Sequence, residues 1–465
     1  MQLIKHKSKS AVDMTDGSIT KHILYFAFPL FLGYIFQMLY NTVDTWVVGN
    51  YVSDEAFAAV GSVGSIINLL VGFFSGLSSG SGVIISQFYG AGNPEKVREA
   101  VKASAYLTVV SAIFLTAIGI ILTPLFLNIM NTPEEVIDDA TIYLSIIFSG
   151  LSGLMVYNLG SGILRAVGDS TRPFYFLVIS AVINTVLDLV FVLVFGLGVA
   201  GVALATIIAQ FISAILVIIT LVKDDSPVKL CGKDVLDAIR HPRSVLPMLG
   251  SIIKVGIPAA LQLSITSFSN IFVQSYINFF GKGYMSGWTV YTKVDQFLML
   301  PSNALALATT TFVGQNLGGG QVKRAKRGVK TSLGISLGAA FLILIPIIVF
   351  AEPITLFFID EPDAVGYGTL FLRVISPFYL CAITQGILTS ALRGAGNSRT
   401  PMIVVLASLV GFRQVYLFVM ANFISNTPIP IAMSYPAGWI VASVAMIICY
   451  LSCNLERYVV TKSKS

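Results

Sequence analysis

Four polar residues, Asp44, Asn184, Asp188 and Thr206, lie inside long apolar stretches of this chain. An ionisable side chain at the centre of a bilayer costs about 3 kcal/mol or more, so such residues mark functional sites by default. Asn184 and Asp188 are four apart, which stacks them on one face of a helix. Thr206 lies just inside the next apolar stretch and can lend a hydroxyl, while Asp44 belongs to the first. Carboxylate, amide and hydroxyl oxygens together suit a small hard cation such as Na⁺, for which these four residues would be the metal ligands. Two carboxylates in a poorly hydrated pocket equally suit a proton, because one shared proton removes their repulsion and the cost of desolvating a second charge. Both ions stay open, beside a structural alternative in which each acid merely bonds a neighbouring helix.

The second half of the chain carries Lys293, Asp295 and Arg413 within apolar stretches. Lys293 and Asp295 are two apart and so occupy different faces of a helix. Arg413 is expected either to pair with Asp295 or to meet a substrate. Uncharged polar residues are candidates for lining a cavity. In the first half these are Gln37, Tyr40, Asn41, Asn68, Asn158 and Gln210; in the second, Gln262, Tyr291 and Gln385. The alternative for each is a helix-packing contact. Nothing points to an enzyme or to a bound cofactor. The three histidines are His6, His22 and His241, with no H-E-x-x-H and no serine or cysteine nucleophile motif. Cys449 and Cys453 share a helix face, but neither has a histidine or further cysteine nearby, so packing is expected rather than metal binding. With Cys231 and Cys381 they imply no disulfide framework.

The elements that must hold these residues are membrane helices. Of 465 residues, 55% are hydrophobic and 11% charged, with a mean hydropathy of +0.83. A soluble chain carries about 25% charged residues. Apolar runs long enough to cross a hydrocarbon core of about 30 Å recur from end to end. The alternating polarity of barrel strands is absent. Twelve spans are expected, at 21–49, 57–86, 101–126, 136–164, 173–196, 199–222, 252–280, 286–313, 330–351, 365–391, 401–424 and 430–454.

The loops alternate in charge. One set holds Lys96, Arg98 and Lys102, then Arg165 and Arg172, the stretch Lys223 to Lys254, Lys323 to Lys330, and Arg393 and Arg399. The other holds Asp54 and Glu55, Glu134, Glu135, Asp138 and Asp139, and Asp360, Glu361 and Asp363. Of 29 Lys and Arg residues, only Lys282, Lys293, Arg373 and Arg413 fall outside the first set and the termini. That set is therefore expected on the cytoplasmic side, with both termini, in a multi-pass inner membrane protein. The net charge of +6 then sets topology and gives no sign of a nucleic-acid partner. The first apolar segment runs too long for a cleaved signal peptide and is expected to be the first span.

Two stretches repeat at a fixed distance. Residues 87–104 read QFYGAGNPEKVREAVKAS and 315–332 read QNLGGGQVKRAKRGVKTS, a shift of 228. Residues 164–173, LRAVGDSTRP, and 392–401, LRGAGNSRTP, match at the same shift of 228. Pro29 and Pro258 match at 229. The expected fold is all-α: twelve transmembrane helices in two six-helix bundles. Six is even, so the bundles are parallel repeats about a pseudo-two-fold along the membrane normal, with a substrate path between halves that rock. A passive channel does not need that build. The layout is a cytoplasmic tail (1–20), an N-lobe (21–222), a cytoplasmic linker (223–250) too short to bury a core, a C-lobe (251–456) and a C-terminal tail (457–465). The repeat is asymmetric where it matters. At these shifts the second half has Val273 for Asp44, Phe412 for Asn184, Tyr416 for Asp188 and Ser434 for Thr206. A specialised ion site in the first half accounts for that loss.

With P-L-F-L-G-Y-I-F-Q-M-L-Y-N-T-V-D-T-W-V-V-G in the first span, Q-F-Y-G-A-G-N-P after the second, L-R-A-V-G-D-S-T-R-P after the fourth and the second copies of the last two, the chain resembles the multidrug and toxic compound extrusion (MATE) transporters over residues 18–455. The resemblance implies cation-coupled antiport, by H⁺ or Na⁺, of organic cations, drugs or other amphiphiles, by a protein that works as a monomer among membrane lipids. Prokaryotic members have an Asp in the first helix, an Asn and an Asp four apart in the fifth and a Thr in the sixth; Asp44, Asn184, Asp188 and Thr206 stand there. Another branch places a sodium site in the second lobe with a Glu in helix 7 and an Asp in helix 10. This chain departs from that pattern, with no acid near Pro258 and Gln385 in the tenth span. A lipid-linked precursor flippase of the same superfamily is the alternative. Arg413 as the one arginine well inside a span argues against a pyrophosphate substrate.

Overall fold

The protein is described here by a computed structural model covering residues 12–129 and 132–460. Most of the expected N-terminal tail, and residues 461–465 of the C-terminal one, lie outside the described residues. Among the described residues, the first half holds α1 (Ile19–Tyr51), α2 (Asp54–Gly90), α3 (Pro94–Ile129), α4 (Glu134–Ser149), α5 (Leu151–Ala166), α6 (Thr171–Leu189) and α7 (Gly198–Lys223). A short α8 (Gly232–Arg240) leads to α9 (Leu246–Asn278), α10 (Lys282–Gly318), α11 (Val322–Val349) and α12 (Ala351–Phe358). Then come α13 (Pro362–Ile375), α14 (Tyr379–Gly394), α15 (Arg399–Val405), α16 (Arg413–Val419), α17 (Pro428–Ala432) and α18 (Ser434–Ser452). Among the described residues eleven helical stretches are long and apolar enough to cross a membrane, and a twelfth is formed if the bent pair α4–α5 is one span. Side chains such as Ile113, Leu342 and Leu451 are more than two-thirds exposed, where a span meets lipid.

The breaks in the spans have local causes. The expected fourth span, 136–164, bends by 45° at Gly150. A Cβ on Gly150 would lie 2.2 Å from Cγ2 of Ile207 on α7, so the bend sits where α7 packs tightly against the chain. The tenth span breaks at a 3₁₀ turn, Ser376–Phe378, around Pro377. The fifth widens after Leu189 into a π-helical turn, Val190–Val194, and the eleventh contains two such turns, Leu406–Phe412 and Met420–Ile424.

The repeat read from sequence reappears in the backbone. Gly92 and Gly320 have φ of +67° and +75°, and Gly168 and Gly396 both have +88°, conformations that favour glycine. In the first pair of loops the N–H groups of residues 91, 92 and 93 donate to Gln87, Tyr89 and Phe88, and those of 319, 320 and 321 donate to Gln315, Leu317 and Asn316. In the second pair, Asp169 accepts from the N–H groups of Thr171 and Arg172, while Asn397 accepts from that of Thr400. Arg172 also pairs with Asp169 and reaches Asp224 at the end of α7 at 3.0 Å. Burial would push the Asp224 carboxyl up, but hydrogen bonds from Ser226 and Arg172 hold it below its ordinary range. The second copy keeps the cap, with Asn397 in place of Asp169.

The chain divides into two compact units. One holds Phe28–Ile257; the other holds Met14–Ala27 with the chain from Pro258 onward. The division falls inside α1 and α9, beside Pro29 and Pro258. Within the second unit the Met14 side chain is fully buried, and its backbone N–H donates to Gln315 Oε1 at 3.0 Å. Its carbonyl accepts from Asn316 and Arg324. Within the first unit, linker residues Val228, Ala238 and Val245 join the buried cluster of α2, α3, α5 and α7, so the stretch 223–250 is folded onto its lobe.

Candidate cation site

The first unit assembles the polar set. The face of α6 that turns inward carries Asn184 and Asp188, which are 2% and 0% exposed. Asp188 stands at the last turn before the helix widens to its π segment. Single π turns inside helices are often found at functional sites. Asp44, half-buried on α1, brings its carboxyl within hydrogen-bonding reach of that of Asp188. Two ionised carboxylates have no donor to share. Asp44 Oδ1, both oxygens of Asp188 and both amide atoms of Asn184 are buried without a hydrogen-bond partner in the protein. Such groups are costly to bury unmatched. The cluster is complete only with a proton, a cation or water supplied from outside the chain, and its donor set of carboxylate and amide oxygens fits either ion.

Thr206 is half-buried on α7, which packs along α6 and its π turn. Its hydroxyl donates to the carbonyl of Val202 at 3.0 Å, so only its lone pairs are available to a cation. Tyr40 lies close to Asp44 and within hydrogen-bonding reach of Gln37. Sequence reading missed Tyr143 on α4, which is 7% exposed and close to Asp44, Asp188 and Tyr40. A signal was present: at the shift of 228, Tyr143 corresponds to Phe371, so its hydroxyl is absent from the second half like the acids. Asn158 donates to the carbonyl of Leu154 on its own helix, and Gln210 is half-buried on α7. Asn41 and Asn68 are exposed.

The second unit resolves the charges there differently from expectation. Arg413 does not pair with Asp295. It is 2% exposed and donates to Ser269 Oγ at 2.9 Å and Asn270 Oδ1 at 2.8 Å, with its guanidinium over the Tyr435 ring, 4.9 Å from the centroid. Two neutral acceptors and an aromatic face hold the cation in place of an acid. Asp295 Oδ1 accepts from the Tyr379 hydroxyl at 2.5 Å, which lies 3.0 Å from that of Tyr291. Tyr379 has one proton, so Tyr291 donates to it in a two-hydroxyl chain ending on the carboxylate. No Lys or Arg forms an ion pair with Asp295 among the described residues. Tyr435 lies close to both Asp295 and Arg413. Lys293 is exposed. Gln262 accepts from Arg393 at 3.1 Å, and Gln385 donates to Thr389 at 3.0 Å. Both amides thus have packing partners.

Known proteins agree with this architecture. The chain is 28% identical over 429 residues to the probable multidrug resistance protein YoeA of Bacillus subtilis, covering 91% of this chain and 92% of that one. It is 30% identical over 398 residues to the probable multidrug resistance protein YpnP of the same organism, covering 86% and 87%. A solved multidrug resistance MATE family transporter in an outward-facing conformation superposes with a TM-score of 0.87 at 21% identity, covering 96% of this chain and 98% of the other. The MatE family profile matches residues 29–190 and again 258–419, so each match begins at the proline that opens its half. With both halves matched, the chain belongs to the MatE family.

Proposed function

We propose that the protein exports drugs or other toxic amphiphiles, preferentially organic cations, by antiport against a coupling ion held at Asp44, Asn184 and Asp188, with Thr206 beside them. The observation that carries this reading is the buried, unmatched cluster in the first unit, where two facing carboxyl groups lack a donor. One proton between them satisfies both, so the coupling ion proposed is H⁺. Na⁺ would draw on the same oxygens. Membership of a family whose curated relatives include multidrug resistance proteins supports the transport class.

The deciding experiment is efflux of a fluorescent organic cation in everted vesicles, with a proton gradient or a sodium gradient imposed separately. Transport driven by the proton gradient alone is expected. Transport that follows sodium and ignores pH overturns the proton assignment and leaves the site as a metal site. In this proposal both termini lie on the cytoplasmic side, a reading that the basic loops support. A cysteine replacing Glu135 then labels from outside the cell, and one replacing Lys326 labels only after permeabilisation. The opposite pattern reverses the direction in which the gradient acts.

A further inference from the structure

The linker helix α8 is amphipathic in a way the transport reading does not use. It lies between the ends of two spans, α7 at Lys223 and α9 at Leu246, and is therefore held at the membrane surface. One side is fixed to the protein. Ala238 is fully buried, α8 packs on α3, and the Asp237 carboxylate pairs with the Lys102 ammonium. That hydrogen bond from Lys102, with its charge, holds the Asp237 carboxyl below its ordinary range. Asp234, three residues earlier, lies on the same side.

The other side is exposed. Leu236 is 56% exposed and Ile239 is 45% exposed, and they are three apart on one face. Lys233, Leu236 and Arg240 follow one another at spacings of three and four, so two cations flank the apolar pair along one edge. Lys233, Arg240 and, just beyond the helix, Arg243 are exposed and form no ion pair among the described residues. A helix with an apolar face, a cationic edge and an enforced position at the bilayer surface lies in the interface plane. Its cations then meet lipid headgroups, and a basic residue near an anionic surface strengthens binding about fivefold.

We infer that α8 is an interfacial helix that binds anionic phospholipid. Leu236 and Ile239 enter the headgroup–acyl boundary, and Lys233, Arg240 and Arg243 engage the phosphates. Through Ala238 and the Asp237–Lys102 pair, the lipid contact is transmitted to the end of α3. Neither the substrate nor the coupling ion enters this reading, so it stands or falls separately from the proposed antiport.

The test uses the full-length protein with Cys231, Cys381, Cys449 and Cys453 replaced by alanine and one nitroxide-labelled cysteine at position 234, 236 or 239. The protein is placed in nanodiscs of phosphatidylcholine, or of phosphatidylcholine with phosphatidylglycerol. Labels at 236 and 239 are expected to relax more with oxygen than with a water-soluble nickel chelate, and the label at 234 the reverse. Adding phosphatidylglycerol deepens the labels at 236 and 239. In the K233Q/R240Q variant that deepening is lost, while the label at 234 is unchanged. A label at 236 as accessible to nickel as one at 234 puts the face in water and overturns the inference. Deepening that is absent, or equal in the glutamine variant, overturns the recognition of anionic lipid.

Discussion

Asp188→Asn abolishes proton-coupled efflux while the protein still inserts and folds. Asp188 is fully buried and neither of its oxygens has a partner, so removing its charge takes away no hydrogen bond that the protein makes. The substitution keeps the shape of the side chain and lowers the cost of a buried acid, so thermal stability is expected to hold or rise. Coupling behaves oppositely. An ion drives transport only through its different affinity for the two access states. A coupling free energy of about 3 kcal/mol is a factor of about 150, and losing it brings efflux to the level of vesicles without transporter. Asp44→Asn is expected to do the same, because the two carboxyl groups face one another across a single shared position. Normal efflux by either variant at normal expression shows that its carboxylate is not the coupling group. Loss of efflux accompanied by loss of thermal stability shows that the acid is structural.

Much of this site was legible because helical spacing and the repeat both act along the chain. The four-residue step from Asn184 to Asp188 fixes a shared face wherever the helix packs. Comparison of the halves exposed the missing acids, and the paired glycines, Gly92 with Gly320 and Gly168 with Gly396, take matching backbone conformations. What stayed hidden depends on contacts between helices. Tyr143 lies close to the acids through the packing of α4 on α2, α3 and α7, which no spacing encodes. Arg413 and Asp295 are the obvious opposite charges of the second half, yet the arginine donates to Ser269 and Asn270 and lies over the Tyr435 ring instead. Amphipathic α8 was passed over because nine residues inside a polar connection give a weak signal.

Substrate affinity measured on purified protein from pH 5 to 9 is expected to weaken as pH falls, and Asp44→Asn is expected to flatten that dependence. The argument rests on the same carboxyl pair. A cationic substrate and a proton both gain by neutralising Asp44 and Asp188, and the pair cannot serve both at once. Direct competition therefore gives exchange without requiring a helix to move. The rival mechanism is a bend. Proton binding would remove repulsion between α1 and α6, and α1 could yield at Pro29, which lacks an N–H to complete the helical ladder. A bend makes affinity depend on the geometry of α1 as well as on the charge of Asp44. The two are separated by Pro29→Ala, which restores the ladder but leaves both carboxylates in place. Under competition the pH dependence of affinity survives in that variant. Under bending it is lost there as well as in Asp44→Asn. A flat affinity across the whole range in the unmutated protein eliminates proton competition, and the same titration against sodium at fixed pH then asks whether the metal takes the proton's place at these oxygens.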